Sequence, residues 1–166
     1  MNFEDLKNQT VISIDEGERM GKVTDGVIDL DKKQLVALLL GSGGIIGSKN
    51  YTLPVDAIRT VGRDAVTVQS RSMLREGEDV LDGQVRVSDL ARRTVISEGG
   101  DEIGRISDVE LDTSYHVTRF HISTGSRLLS MFGSTAMIDA GQVVAFGEVI
   151  TVKDGAVPSK EESGKG

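Results

Sequence analysis

An all-β protein made of two tandem copies of one small β-barrel-like domain is the fold this sequence predicts, and three observations carry that expectation. Asp5-Leu6 with Thr10-Val11-Ile12-Ser13 returns 84 positions later as Asp89-Leu90 with Thr94-Val95-Ile96-Ser97. The block from Gly17 to Asp25 returns 83 positions later as Gly100 to Asp108, and Asp29, Gly43 and Thr67-Val68 find counterparts at Asp112, Gly125 and Thr151-Val152. A repeat of this length divides a 166-residue chain into two units, each just large enough for a modest core. The third observation is the apolar pattern: short β-branched runs alternate with Gly-containing turns, and no segment keeps a helical period. Small closed or nearly closed barrels accommodate such strands.

The elements follow in order. Val11, Ile12 and Ile14 open the first copy, a turn spans Gly17 to Gly21, and Lys22 to Leu30 alternates up to the polar turn Asp31-Lys32-Lys33. Leu35 to Leu40 is an unbroken apolar run of strand length, so it needs cover on both faces, from the other repeat or from a second chain. Tyr51-Thr52-Leu53 ends at Pro54, whose fixed φ and missing donor stop the pairing, and Val55 to Ile58 reads as one helical turn. Ala65 to Val68 closes the unit. The second copy runs through Thr94–Ser97, Arg105–Asp112, Val117–Ser123, Ala136–Ile138 and Val149–Val152; aligning Asp139-Ala140 with Asp56-Ala57 puts Met137 at the place of Pro54. The domain boundaries are then 1–69 for repeat 1, 70–86 for a connector, 87–154 for repeat 2 and 155–166 for a tail. The connector holds Met73, Leu74, Val80 and Leu81 among its charges, which predicts packing and one helical turn at Ser72 to Arg75. The tail has charges, glycines and Pro158 with almost no apolar residues, which predicts disorder.

Composition narrows the function classes. There is no cysteine, so disulfides, thiolate metal sites and cysteine nucleophiles are excluded, in keeping with a reducing compartment. The first residues lack a basic region followed by an apolar run, and no stretch reaches the ~20 apolar residues that span a bilayer, so a cytoplasmic protein is expected. The formal charge of −7 is spread along the chain without a basic arm. Direct nucleic-acid binding and membrane insertion are therefore not expected, since phosphate-backbone affinity needs clustered Lys and Arg.

The string Met20-Gly21-Lys22-Val23-Thr24-Asp25-Gly26-Val27-Ile28-Asp29, then Leu35 to Leu40, then Tyr51-Thr52-Leu53-Pro54 with Ile58, resembles the PRC-barrel family. The resemblance extends from about Phe3 to Val68 and again from about Val87 to Val152. It implies a small β-barrel like that in the cytoplasmic part of the photosynthetic reaction-centre H subunit, in ribosome-maturation factors and in many stand-alone microbial proteins. It also implies a non-catalytic docking domain, with no shared catalytic residues to carry over.

The residues themselves give no catalytic set. Gly41 to Lys49 fails as a phosphate loop because Ser48 separates Gly47 from Lys49, and it fails as a dinucleotide fingerprint because Ile46 takes the place of the third glycine. It reads as a hairpin loop. Asp25 and Asp29, recurring as Asp108 and Asp112, lie too far apart along a strand, ~13 Å, for joint cation binding. Asp25 and Asp108 instead read as acceptors for backbone donors at a bulge or turn, and Asp29 and Asp112 as turn formers. His116 and His121 fall in opposite strand phase with no cysteine nearby, which argues against a shared metal, and no Gly-x-Ser-x-Gly elbow is present. No catalytic residue, cofactor or metal is assigned.

The sharper signal is apolar. After the central strand of each copy stand Ile45 and Ile46, and Leu128, Leu129, Met131 and Phe132, each group flanked by small residues. They read either as lids over the barrel ends or as contacts for a protein partner or another protomer, with Met131 and Phe132 as anchors. The expected function is a non-catalytic scaffold or adaptor with a protein partner of unknown identity. The alternatives are a ribosome- or RNA-maturation-associated factor acting through protein contacts, a peripheral subunit of a membrane complex, and a small-molecule sensor at the cleft between repeats.

Overall fold

The computed structural model describes residues 1–41, 49–124 and 135–156. The first repeat runs α1 (Phe3–Leu6), β1 (Thr10–Ser13), β2 (Glu18–Asp29), β3 (Gln34–Gly41), β4 (Tyr51–Pro54), a 3-10 turn Val55–Ala57, β5 (Ile58–Val61) and β6 (Ala65–Val68). A connector follows, with a 3-10 turn Arg71–Met73, β7 (Arg75–Glu76) and β8 (Gln84–Arg86). The second repeat restates the order as α2 (Val87–Leu90), β9 (Thr94–Ser97), β10 (Glu102–Leu111), β11 (Val117–Ser123), β12 (Thr135–Asp139), a 3-10 turn Ala140–Gln142, β13 (Val143–Phe146) and β14 (Ile150–Val152). The tandem all-β organisation is thus present.

Each repeat makes one sheet. The orders are β5-β6-β1-β2-β3-β4-β7, with β8 added on β2, and β12-β11-β10-β9-β14-β13. The first and last strands of each repeat pair parallel, β1 with β6 and β9 with β14, and the remaining pairs are antiparallel. Among the described residues each pairing path has two ends, and no strand pair closes either barrel.

One continuous core joins the repeats. Leu35, Leu38, Leu40, Leu53, Val66 and Val68 of the first cluster with Val95, Phe120, Ile122, Ile138 and Ile150 of the second, and Phe3, Leu6 and Leu90 from the short helices complete it. The opposite face of the first sheet holds a smaller cluster of Val27, Ala37 and Leu39. The connector covers that face. Thr52 Oγ1 donates to Gly77 O at 2.8 Å and accepts from Asp79 N at 3.0 Å, β7 pairs with β4, and Leu81 and Gln84 border a groove with Val36, Ala37 and Pro54. The two-sided burial of the Leu35–Leu40 run therefore comes from the chain's own connector on one side and the shared core on the other; no second chain is needed.

The connector is anchored at its start. Glu16 accepts from the Ser70 hydroxyl at 2.8 Å and from Arg71 N at 3.1 Å, and the Ser70 hydrogen bond holds its carboxyl below the usual range. The single turn falls at Arg71–Met73, and the chain is extended again by Arg75, where it joins β4 as a strand rather than prolonging the helix.

The strand-to-helix corner of the second repeat differs from the sequence alignment. Pro54, with φ −57° and ψ 137°, enters the turn Val55–Ala57, while Asp139, with φ −64° and ψ 140°, enters the turn Ala140–Gln142. Register agrees, since Pro54 pairs with Ala37 and Asp139 with Arg119 at corresponding positions of β3 and β11. Asp139, not Met137, therefore occupies the place of Pro54. The Asp-Ala identity used for the alignment is a coincidence of composition; the corner is set by backbone angles that Asp reaches without a proline ring.

Candidate functional site

The junction between repeats is built by exchange of their N-terminal segments. Met1 and Leu111 exchange backbone hydrogen bonds of 3.0 and 2.7 Å, and Asn2 bridges Glu110 on β10. In the related half, β8 pairs with Val27 to Asp29 of β2. Accordingly α1 packs on β10 and α2 packs on β2, so each repeat is completed by the helix of the other.

Two carboxylates fasten the exchange. Asp108 Oδ1 accepts from Val109 N at 2.7 Å and from Glu4 N at 3.2 Å in the first turn of α1. Asp25 Oδ1 accepts from Gly26 N at 2.8 Å and from Ser88 N at 3.2 Å, and its Oδ2 accepts from the Ser88 hydroxyl. Both aspartates lie at register shifts, between Val23 and Asp25 and between Ile106 and Asp108, where a bulge frees backbone donors. The sequence reading of these residues as bulge acceptors holds; their reach into the opposite repeat had no local signal. Asp108→Ala is expected to cost about 1 kcal/mol, as for loss of a helix cap, with hydrogen exchange accelerating first over residues 1–6.

The β2–β3 and β10–β11 turns meet on the same junction. Leu35 N donates to Tyr115 O and Val117 N to Lys33 O, both at 2.8 Å, and Gln34 bridges His116. Lys33 and Tyr115 occupy corresponding left-handed positions, with φ of 50° and 65°. Asp29 accepts from Lys32 N, and Asp112 from Ser114 N and His116 N, as expected of turn formers. The His116 amide above all holds the Asp112 carboxyl below its ordinary range, and burial pushes the Tyr115 phenol up. Two open clefts flank the junction. One of about 450 Å³ is lined by Leu30, Lys33 and Phe146, and its counterpart of about 470 Å³ by Arg59, Leu111 and Tyr115.

Ile45, Ile46, Leu128, Leu129, Met131 and Phe132 lie outside the described residues. Their points of departure are described. Gln34 of β3 touches the other repeat, and Gly41 is seven residues further along, roughly 23 Å at strand rise. On β11, Val117 stands at the junction and Ser123 at the far end. Both segments therefore follow the ends of β3 and β11 opposite to the turns that meet at the junction, two residues beyond Leu39 and His121, which pair with Asp25 and Asp108. At the first of these, Lys49 Nζ pairs with Glu76 Oε1 at 2.7 Å, a hydrogen bond that raises the ammonium pKa.

The histidines are apart in role. His116 Nδ1 lies 3.6 Å from Asp112 Oδ2 in the turn, whereas His121 faces outward on β11 with Nε2 buried, unpaired by a hydrogen bond and 3.4 Å from Glu110 Oε2. Among the described residues no three His, Cys, Asp or Glu side chains gather to hold a metal.

The PRC-barrel domain model matches this sequence twice, over residues 1–74 and 82–157. The chain belongs to the PRC-barrel domain family. Each PRC-barrel match takes in the short helix that packs on the other repeat, so the sequence unit and the packed unit differ by an exchanged segment. Comparison with the curated proteins finds no match. Among the described residues no helix is long and apolar enough to cross a membrane.

Proposed function

We propose that this tandem PRC-barrel chain is a non-catalytic cytoplasmic adaptor that binds protein through the two loop regions containing Ile45 and Ile46, and Leu128, Leu129, Met131 and Phe132. One observation carries the reading: exchanged segments and a shared core tie the repeats into one body, and both loops follow the ends of β3 and β11 opposite to the turns that meet at the junction. Such a body holds two attachment points at fixed separation, which favours simultaneous engagement. The test is a crosslinked pull-down from cytosolic, membrane and ribosomal fractions with wild type and an Ile45→Asp/Phe132→Asp variant of unchanged thermal midpoint. A specific protein captured by wild type and lost with the variant is expected, and the fraction that yields it separates the free adaptor from the ribosome-associated and membrane-complex alternatives. Identical captures from both chains would overturn the reading, as would a robust turnover abolished by His121→Ala.

The two clefts favour a second reading, a small-molecule sensor, because they border the turns that hold the repeats together. A metabolite that raises the thermal midpoint of wild type but not of a Tyr115→Ala chain would support it.

A further inference from the structure

Sheet edges are liabilities that proteins blunt with proline, lysine, bulges, shortness or cover. Most of the described edges here are blunted. β5 is bulged between Ile58 and Thr60, β13 between Val143 and Ala145, and β7 and β8 span only two and three residues. β4 is covered by β7. Its counterpart β12 is different: five residues in unbroken register with β11, without proline or lysine, and ending the sheet.

The outer face beside that edge has also changed character. Val27 and Ala37, buried under the connector in the first sheet, correspond to Glu110 and Arg119 in the second, and Leu39 corresponds to His121. Arg119 Nε lies 3.5 Å from Asp139 Oδ1, so an acid, a base and an acid cross the sheet in one row. The next row is Asp108, His121 and Met137, and Met137 is 43% exposed at the centre of β12. Among the described residues no strand pairs with β12 as β7 pairs with β4.

We propose that β12 pairs antiparallel with β12 of a second copy, about a twofold axis through Met137. The strand is self-complementary in that register. Position 139 falls opposite position 135 of the second copy, Ala136 opposite Ile138, and Met137 opposite itself, so no like charges face across the seam and the exposed apolar side chain is covered. The core-facing row continues from one sheet into the next, since Ile138 is fully buried in its own repeat. This pairing uses neither loop of the adaptor reading.

Sedimentation velocity with charge variants at the seam tests it. Wild type is expected to sediment as a dimer. Met137→Lys and Met137→Glu, each with a thermal midpoint near that of wild type, are expected to lose the dimer because each places like charges in contact across the axis. An equimolar mixture of the two is expected to recover it as a heterodimer. The Ile45→Asp/Phe132→Asp chain is expected to remain dimeric, which keeps this test separate from that of the adaptor reading. A monomeric wild type, a dimeric Met137→Lys chain, or a mixture that stays monomeric would each overturn the proposal.

Discussion

Gly26→Val is expected to destabilise the protein by about 3 kcal/mol, and Phe3→Val in the same chain is expected to return part of that loss. A Cβ at Gly26 would lie 2.6 Å from Phe3 Cε2 and 2.7 Å from Leu35 Cδ1, both in the buried core. Gly26 is not among the glycines with positive φ, so the cost is one of space rather than backbone angle. The second repeat solves the same packing problem with different volumes: Val109 stands where Gly26 does, and Val87 where Phe3 does. Phe3→Val alone should cost about 2 kcal/mol from the cavity it leaves. The double variant reproduces the arrangement of the second repeat, and in urea titrations its loss should fall short of the sum of the single losses by more than about 2 kcal/mol, which leaves it more stable than Gly26→Val alone. Additive losses would show that the two positions do not share one space.

Gly104→Ala is expected to be more costly still, about 4 kcal/mol. Gly104 has φ +153°, and a Cβ there would stand 2.2 Å from the carbonyl oxygen of Ser123, an atom of the neighbouring strand's backbone that cannot turn aside. Its counterpart Gly21, with φ +127°, meets Gly41 O at 2.5 Å. At both positions β2 or β10 is pressed against the strand after it, where the register with β1 or β9 also shifts. Gly100→Ala provides the control, because Gly100 has φ +89° but open space around it; backbone strain alone should cost it about 1 kcal/mol. Equal midpoints for the two variants would contradict the close-approach explanation.

The repeat made much of this fold legible from the chain itself. Strand positions followed from β-branched runs and turn residues, and the matching aspartates marked the bulges because a carboxylate beside a freed amide is a local arrangement. The exchange of Met1–Leu6 and Gln84–Leu90 was not legible. Gln84-Val85-Arg86 is too short to show alternation, and nothing in local spacing says that Asp25 reaches Ser88, 63 positions away. The cover over the second face of Leu35–Leu40 was not legible for the same reason: an apolar run demands burial without naming what buries it, and beside the other repeat it is the connector that lies along β4 and near Ala37. At the second corner, identity of two residues outweighed backbone geometry, which put Met137 at the place that Asp139 holds. Met137 is instead an exposed residue of the strand that ends its sheet among the described residues, a property visible only once the strand order is known.

The two repeats form one interlocked body, and hydrogen exchange along a urea series tests that directly. Slow amides of β3 and β11, one strand from the centre of each repeat, should converge on a single opening free energy and a single urea slope, because neither repeat keeps its core once the other's helix has left. Two separate isotherms, with one repeat opening while the other stays protected, would contradict it.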